Sequence, residues 1–228
     1  MDKKLHKIML SKVLLSIYKD KFLSSILWFK GWTCAMLFYW LPRLSVDLDF
    51  DILVRIDDDI IKKIILNLEK ILKNFWEITD FANKKNTILF EIRYKNDERR
   101  LKIEISKREI NYNFITKNFL WENILITKES DLFANKLIAL LNRKWITNRD
   151  IFDIWYFLQK WVSINKKIIE DFTKKSFEEY LREVKEFIQS YDFSKILYWL
   201  WEMLDEKQKK FAKTKMKEEI LWFLEFYF

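Results

Sequence analysis

Apolar residues recur at spacings of three and four from Leu5 to Leu27, which predicts one or two amphipathic helices. The pattern breaks at Gly31–Thr33, resumes as a short helix over Cys34–Tyr39, and breaks again at Pro42. From Val46 to Ile56 apolar and acidic residues alternate at first, the signature of a strand. Asp57 to Phe75 is helical, opened by Asp57, Asp58 and Asp59, which suit the positive end of a helix dipole. Ile88–Tyr94 and Leu101–Ile105 alternate as strands joined by the polar turn Lys95-Asn96-Asp97-Glu98, and Ile124–Thr127 reads as a last short strand. Beyond Ser130 the periodicity is helical throughout, over Leu132–Arg143, Arg149–Lys160, Ile164–Lys174, Phe177–Ser190, Ser194–Leu204 and Glu206–Phe226. Strands in the first half and helices in the second predict an α+β fold, a small mixed sheet with flanking helices followed by a C-terminal helical bundle. The boundary falls near residue 128, with residues 1–128 carrying the sheet and 129–228 the helices that close the active site.

The chemistry concentrates between Phe29 and Asp51, which hold the only glycine and the only proline of the chain. Asp47 and Asp49 lie two apart on a strand, so both carboxylates face one side, about 7 Å apart along it. Like charges held together repel unless a cation lies between them, and carboxylate oxygens are what Mg²⁺ takes. A turn that presents backbone N–H groups at a helix start, as Gly31–Thr33 does, is a place for a phosphate. Phosphate cradle and metal carboxylates together are the equipment of nucleotidyl transfer. A two-metal site needs a third carboxylate from a neighbouring strand. Glu104 is the candidate and Glu91 its competitor, while Asp51 continues the acidic face as a supporting residue.

This stretch resembles the AbiEii/AbiGii toxin family, within the DNA-polymerase-β-like nucleotidyltransferase superfamily. Phe29, Lys30, Gly31, Thr33, Leu41, Arg43, Ser45, Asp47, Asp49 and Phe50 match the family pattern, whereas Trp32 and Trp40 stand where it has glycine. The resemblance makes residues 1–128 the nucleotidyltransferase core. It implies a cradle of Gly31, Trp32 (in place of glycine) and Thr33, with Arg43 and Ser45 on the approach to the acidic pair. Glu104 matches an acid common in the family at that strand. Lys136, in Ala134-Asn135-Lys136-Leu137, matches a lysine that points at nucleotide phosphates. Arg149, Asp150 and Asp153 match an R-D-x-x-D motif that gives Asp150 a nucleotide or catalytic role. Capping through Thr147 accounts for Asp150 equally well. Arg143, one helix end away, is a further phosphate candidate.

The implied activity is a Mg²⁺-dependent transfer of NMP from an NTP to an acceptor hydroxyl, the 3′ end of a tRNA, by the toxin of a toxin–antitoxin or abortive-infection system with an antitoxin protein as partner. Two rivals stand beside it: a superfamily enzyme acting on a small-molecule or protein hydroxyl, and a catalytically decayed nucleic-acid or partner-binding module.

Composition narrows the field. The net charge is +8 and the pI about 9.3, which favours a polyanionic partner. Six lysines crowd Lys207–Lys217, as an RNA-contacting surface or as a solvated helix face. A single histidine, His6, and a single cysteine, Cys34, exclude His-rich zinc sites and internal disulfides. No uncharged apolar run approaches the roughly 18 residues that span a bilayer, so no membrane role and a cytoplasmic location are expected. One glycine against 11 tryptophans is the most aberrant count, since about 7% glycine, roughly 16 residues, is usual. Trp40, Trp76, Trp145 and Trp161 each follow a helical pattern, at the position where a left-handed residue ends a helix. Such a distribution is expected of a gene that writes glycine as UGA and has been translated with UGA as tryptophan. An AT-rich genome short of GGN codons is the alternative.

Overall fold

The computed structural model describes residues 2–74, 77–94, 99–108, 113–143 and 148–227. The predicted turn at 95–98, and Trp76, Trp145 and Thr147, lie outside them. The chain forms two compact units. Met1–Trp40 with Leu44–Lys128 makes the first, and Leu41–Arg43 with Glu129–Phe228 the second.

The first unit opens with α1 (Lys3–Lys19) and α2 (Lys21–Ile26). Asp2 caps α1 by accepting the N–H groups of Lys4 and Leu5, and Asp20 caps α2 by accepting those of Phe22 and Leu23. His6 on α1 is buried, with Nε2 3.1 Å from the Val46 carbonyl and Nδ1 2.6 Å from the Tyr94 hydroxyl, so the sole histidine is a satisfied core residue. Next come β1 (Leu27–Lys30), α3 (Gly31–Phe38), β2 (Asp47–Ile52) and α4 (Asp58–Lys73), the last buried through Ile64, Leu68 and Leu72 and capped by Asp57. Then follow β3 (Glu77–Asn83), β4 (Thr87–Arg93), β5 (Leu101–Ser106), β6 (Phe114–Phe119) and β7 (Glu122–Thr127).

Among the described residues the strands form one mixed sheet of seven, in the order β3-β4-β5-β2-β1-β7-β6. β2 runs antiparallel to β1 and parallel to β5, and β1 runs parallel to β7. β2 therefore has a strand on either side. Leu48, Phe50 and Ile52 of β2, with Leu101, Ile103 and Ile105 of β5, send one face into the core and leave the acidic residues on the other. Cys34, on α3, is fully buried, and burial pushes its thiol far above the usual range.

The second unit is helical: α5 (Glu129–Asn142), α6 (Asn148–Gln159), α7 (Lys166–Thr173), α8 (Phe177–Ser190), α9 (Glu206–Thr214) and α10 (Met216–Leu224). The helix expected over Ser194–Leu204 is instead a 3₁₀ turn at Phe193–Lys195 followed by successive turns. The chain there cannot stay α-helical because Trp199 is left-handed, at φ +66. The single helix expected over Glu206–Phe226 divides at Lys215, whose φ of −128 ends α9 and starts α10. Among the described residues no helix is long and apolar enough to cross a membrane.

Candidate functional site

Three neighbouring strands of the first unit assemble an ionisable grid. Asp47, Asp49 and Asp51 alternate along one face of β2. In register beside them on β5 stand Lys102, Glu104 and Ser106, with Asp49 paired to Glu104 and Asp51 to Ser106. On the β1 side Lys30 pairs with Asp49 in the ladder and reaches Asp51 with its ammonium at 2.5 Å. Glu104 receives Lys102 Nζ at 3.0 Å. Glu91 sits one strand further out on β4 and meets Arg100 at 3.3 Å, so β5 and not β4 supplies the acid adjoining β2.

The crowding has an electrostatic consequence. Burial, then the charges of Asp47 and Glu104, push the Asp49 carboxyl up to about 7 against the opposing pull of Lys30 and Lys102. Burial also raises Asp51, against the Lys30 ammonium, the Ser106 hydroxyl and Arg108. A cavity of about 270 Å³ opens on this grid, lined by Lys30, Asp49, Thr87, Glu104, Ser106 and Arg108.

The turn before α3 is built against the same carboxylate. Gly31 has φ +74, and a Cβ added there would fall 3.0 Å from Asp49 Cγ and 3.1 Å from its Cβ, with Oδ2 nearer still. Only glycine permits both the dihedral and the close approach. Gly31→Ala should therefore destabilise the fold by about 2–4 kcal/mol, from the left-handed strain and the overlap together. Urea unfolding measures the loss. Trp32 is the second residue of α3, helical and half-buried. The Thr33 hydroxyl donates to the Asp47 carbonyl and lies 3.0 Å from Ser45 Oγ, so Thr33 and Ser45 brace the start of β2.

The remaining expected residues come together in the second unit. Arg43 holds Asp153 with two parallel bonds, Nε to Oδ1 at 2.5 Å and Nη2 to Oδ2 at 2.6 Å. Lys136 donates to Asp150 and reaches Asp153 Oδ2 at 2.9 Å. Arg143 Nη1 meets Asp150 Oδ2 at 3.2 Å. Arg43, Lys136, Asp150 and Asp153 are all buried, whereas the Arg143 side chain is about half exposed. Burial pulls the Lys136 ammonium below its usual range, opposed first by Asp153 and then by Asp150. Asp47, Asp49, Glu104, Gly31, Trp32, Thr33 and Ser45 thus form one group, and Arg43, Lys136 and Asp150 another, each within its own unit.

Lys30 matched the family pattern without a role of its own, and the structure pairs it with Asp51. The shared role of Asp153 was also missed. Its three-residue spacing from Asp150 was the available signal, but its partner Arg43 lies 110 positions away.

The donor chemistry fits a divalent cation in part. Asp47, Asp49 and Glu104 offer hard oxygens, and the carboxyl of Asp49 is raised first by burial and then by the charges of Asp47 and Glu104, the part that a cation would relieve. Among the described residues, however, no three acidic, cysteine or histidine side chains converge in metal-holding geometry. Glu104 is turned to Lys102.

A mixed sheet with paired acids on an interior strand, followed by helices, is the arrangement expected of a nucleotidyltransferase. Two Helicobacter pylori structures share the fold. JHP933 is 18% identical and matches over 99% of this chain and 94% of its own, with a TM-score of 0.59. A second H. pylori protein, a provisionally assigned nucleotidyltransferase, is also 18% identical and matches over 100% of this chain and 99% of its own, with a TM-score of 0.62. No curated protein matches the sequence. The model of the AbiEii nucleotidyl transferase toxins of type IV toxin–antitoxin systems matches residues 12–224, and the chain belongs to that family.

Proposed function

We propose that the chain transfers a nucleoside monophosphate from an NTP to the 3′-hydroxyl of a tRNA, in the cytoplasm, as a Mg²⁺-dependent toxin held in check by an antitoxin protein. The observation that carries the reading is the Asp49–Glu104 register pair with Gly31 packed on Asp49. It sets two carboxylates on adjacent strands beside a turn and a cavity. In this reading residues 1–128 are the transferase core and 129–228 a helical domain. Asp47 and Asp49 would hold the cation, with Glu104 joining on exchange of its Lys102 partner. The bound cation would supply charge neutralisation at the α-phosphate and a more acidic acceptor hydroxyl. The acceptor hydroxyl gives up its proton to solvent as its oxygen bonds the α-phosphorus, the bond to the bridging oxygen breaks, and pyrophosphate leaves. Gly31, Trp32 and Thr33 would present backbone to the phosphates, with Ser45 orienting Asp47. Within the helical domain, Lys136 and Arg43 would keep positive charge in a preorganised cluster in which Asp150 fixes the Lys136 ammonium.

For the acceptor, the support is positive charge. Lys207, Lys210 and Lys213 of α9 are exposed, while Lys209 is bound to Glu206 at 2.7 Å and Lys217 to the Gln189 carbonyl at 2.8 Å. The test is incorporation of labelled NTP into tRNA, followed by salt titration of tRNA binding. Changing Lys207, Lys210 and Lys213 to Ser together should lower the salt slope by about 1 for each phosphate no longer neutralised, with NTP affinity unchanged. Equal slopes would assign α9 to solvent alone, and no labelled tRNA with any of the nucleotides would overturn the acceptor.

A further inference from the structure

The backbone sets four of the described tryptophans apart. Six non-glycine residues have positive φ among the described residues, and four are tryptophan: Trp40 (+58), Trp121 (+73), Trp161 (+52) and Trp199 (+66). A bulky residue in that region is a genuine outlier, and random placement would not gather tryptophans there. Trp161 occupies C′ of a Schellman ending of α6, where glycine is usual, with its N–H on the Leu158 carbonyl and the Val162 N–H on the Phe157 carbonyl. Trp40 follows Tyr39, the C-cap of α3. Leu120 and Trp121 are the two-residue loop between Phe119 and Glu122, both with positive φ, as a type I′ hairpin turn requires. Its second position favours glycine. All four residues are exposed, by 55% to 94%, with the Trp161 indole also lying against Phe223, Phe226 and Tyr227.

Trp28 and Trp155 differ on every point. They are 1% and 9% exposed. Their indole N–H groups donate to Thr127 Oγ1 at 2.7 Å and to Glu219 Oε2 at 2.8 Å, as buried tryptophans should.

We infer that the native protein carries glycine at positions 40, 121, 161 and 199 and tryptophan at 28 and 155, because the gene writes glycine as UGA and tryptophan as UGG. This assignment is independent of the catalytic reading, and it exchanges some of the tryptophans rather than all of them. Trp32 is helical, so its backbone makes no such demand.

Peptide mass spectrometry of the protein from its own cells tests the assignment, with the codons as a second reading. Glycine at all four positions and tryptophan at 28 and 155 is the expected result, and tryptophan at any of the four overturns it. A biophysical arm uses recombinant protein. Trp40→Gly, Trp121→Gly and Trp199→Gly combined should raise Tm by about 2–4 °C per site through relief of left-handed strain. Trp28→Gly should lower Tm. A triple variant melting no higher than the parent overturns the backbone argument.

Discussion

Asp49→Asn should abolish NMP incorporation and make the metal-free protein more stable. If Asp49 holds the proposed cation, its loss would remove about 4 kcal/mol of transition-state stabilisation, or about 1,000-fold in rate. The gain in stability follows from the site's charge. In the folded protein the Asp49 carboxyl titrates at about 7, against 3.8 ordinarily. The folded state therefore holds a proton that the unfolded chain releases, and stability from this group falls as pH rises from about 4 to about 7. Asparagine carries no charge and escapes that loss. Asp49 is only half-buried, so solvent screening reduces the effect to about 1–2 kcal/mol. Urea unfolding in chelator at pH 5 and pH 8 should show the variant's advantage growing toward pH 8. An advantage that is absent at pH 8, or larger at pH 5, would refute the assigned titration. Divalent cation should stabilise the parent and not the variant.

Asp153→Ala should be the most destabilising change in the helical unit. Asp153 is shared by two buried cations, Arg43 and Lys136. With it, the cluster sets Arg43, Lys136 and Arg143 against Asp150 and Asp153. Without it, the buried Arg43 and Lys136 and the half-exposed Arg143 face one carboxylate, and breaking such a buried pair costs about 3–5 kcal/mol. Asp150→Ala should cost less, about 1–3 kcal/mol, because Lys136 keeps Asp153 and the Arg143 side chain reaches water. Chemical unfolding of the two variants in parallel checks the order. If Asp150→Ala is the costlier change, Arg43 draws its stabilisation from elsewhere.

The residues that sequence reading placed well are those whose pattern is local. The acids of β2 alternate with Leu48, Phe50 and Ile52, so strand and face were both visible at once. α8 was read over Phe177–Ser190, its full extent, because Ser176 caps it and its apolar face is regular. β1 was not seen: Leu27, Trp28 and Phe29 are buried on both faces and continue the apolar run of α2 without a change of period. β3 and β6 lie at the two edges of the sheet and are largely half-exposed, so their alternation is weak. Arg43 lay beside the acidic strand in sequence, yet its carboxylate partner comes from α6. No window of local sequence contains both.

The left-handed turn at residue 40 lies upstream of Asp47. If that turn is written as UGA, a cell that reads UGA as a terminator would release the chain before the acidic strand was made. A toxin gene of this kind would be mute in most genomes it entered. It would acquire an active site only in a lineage sharing its decoding, so its host range would be set at the ribosome.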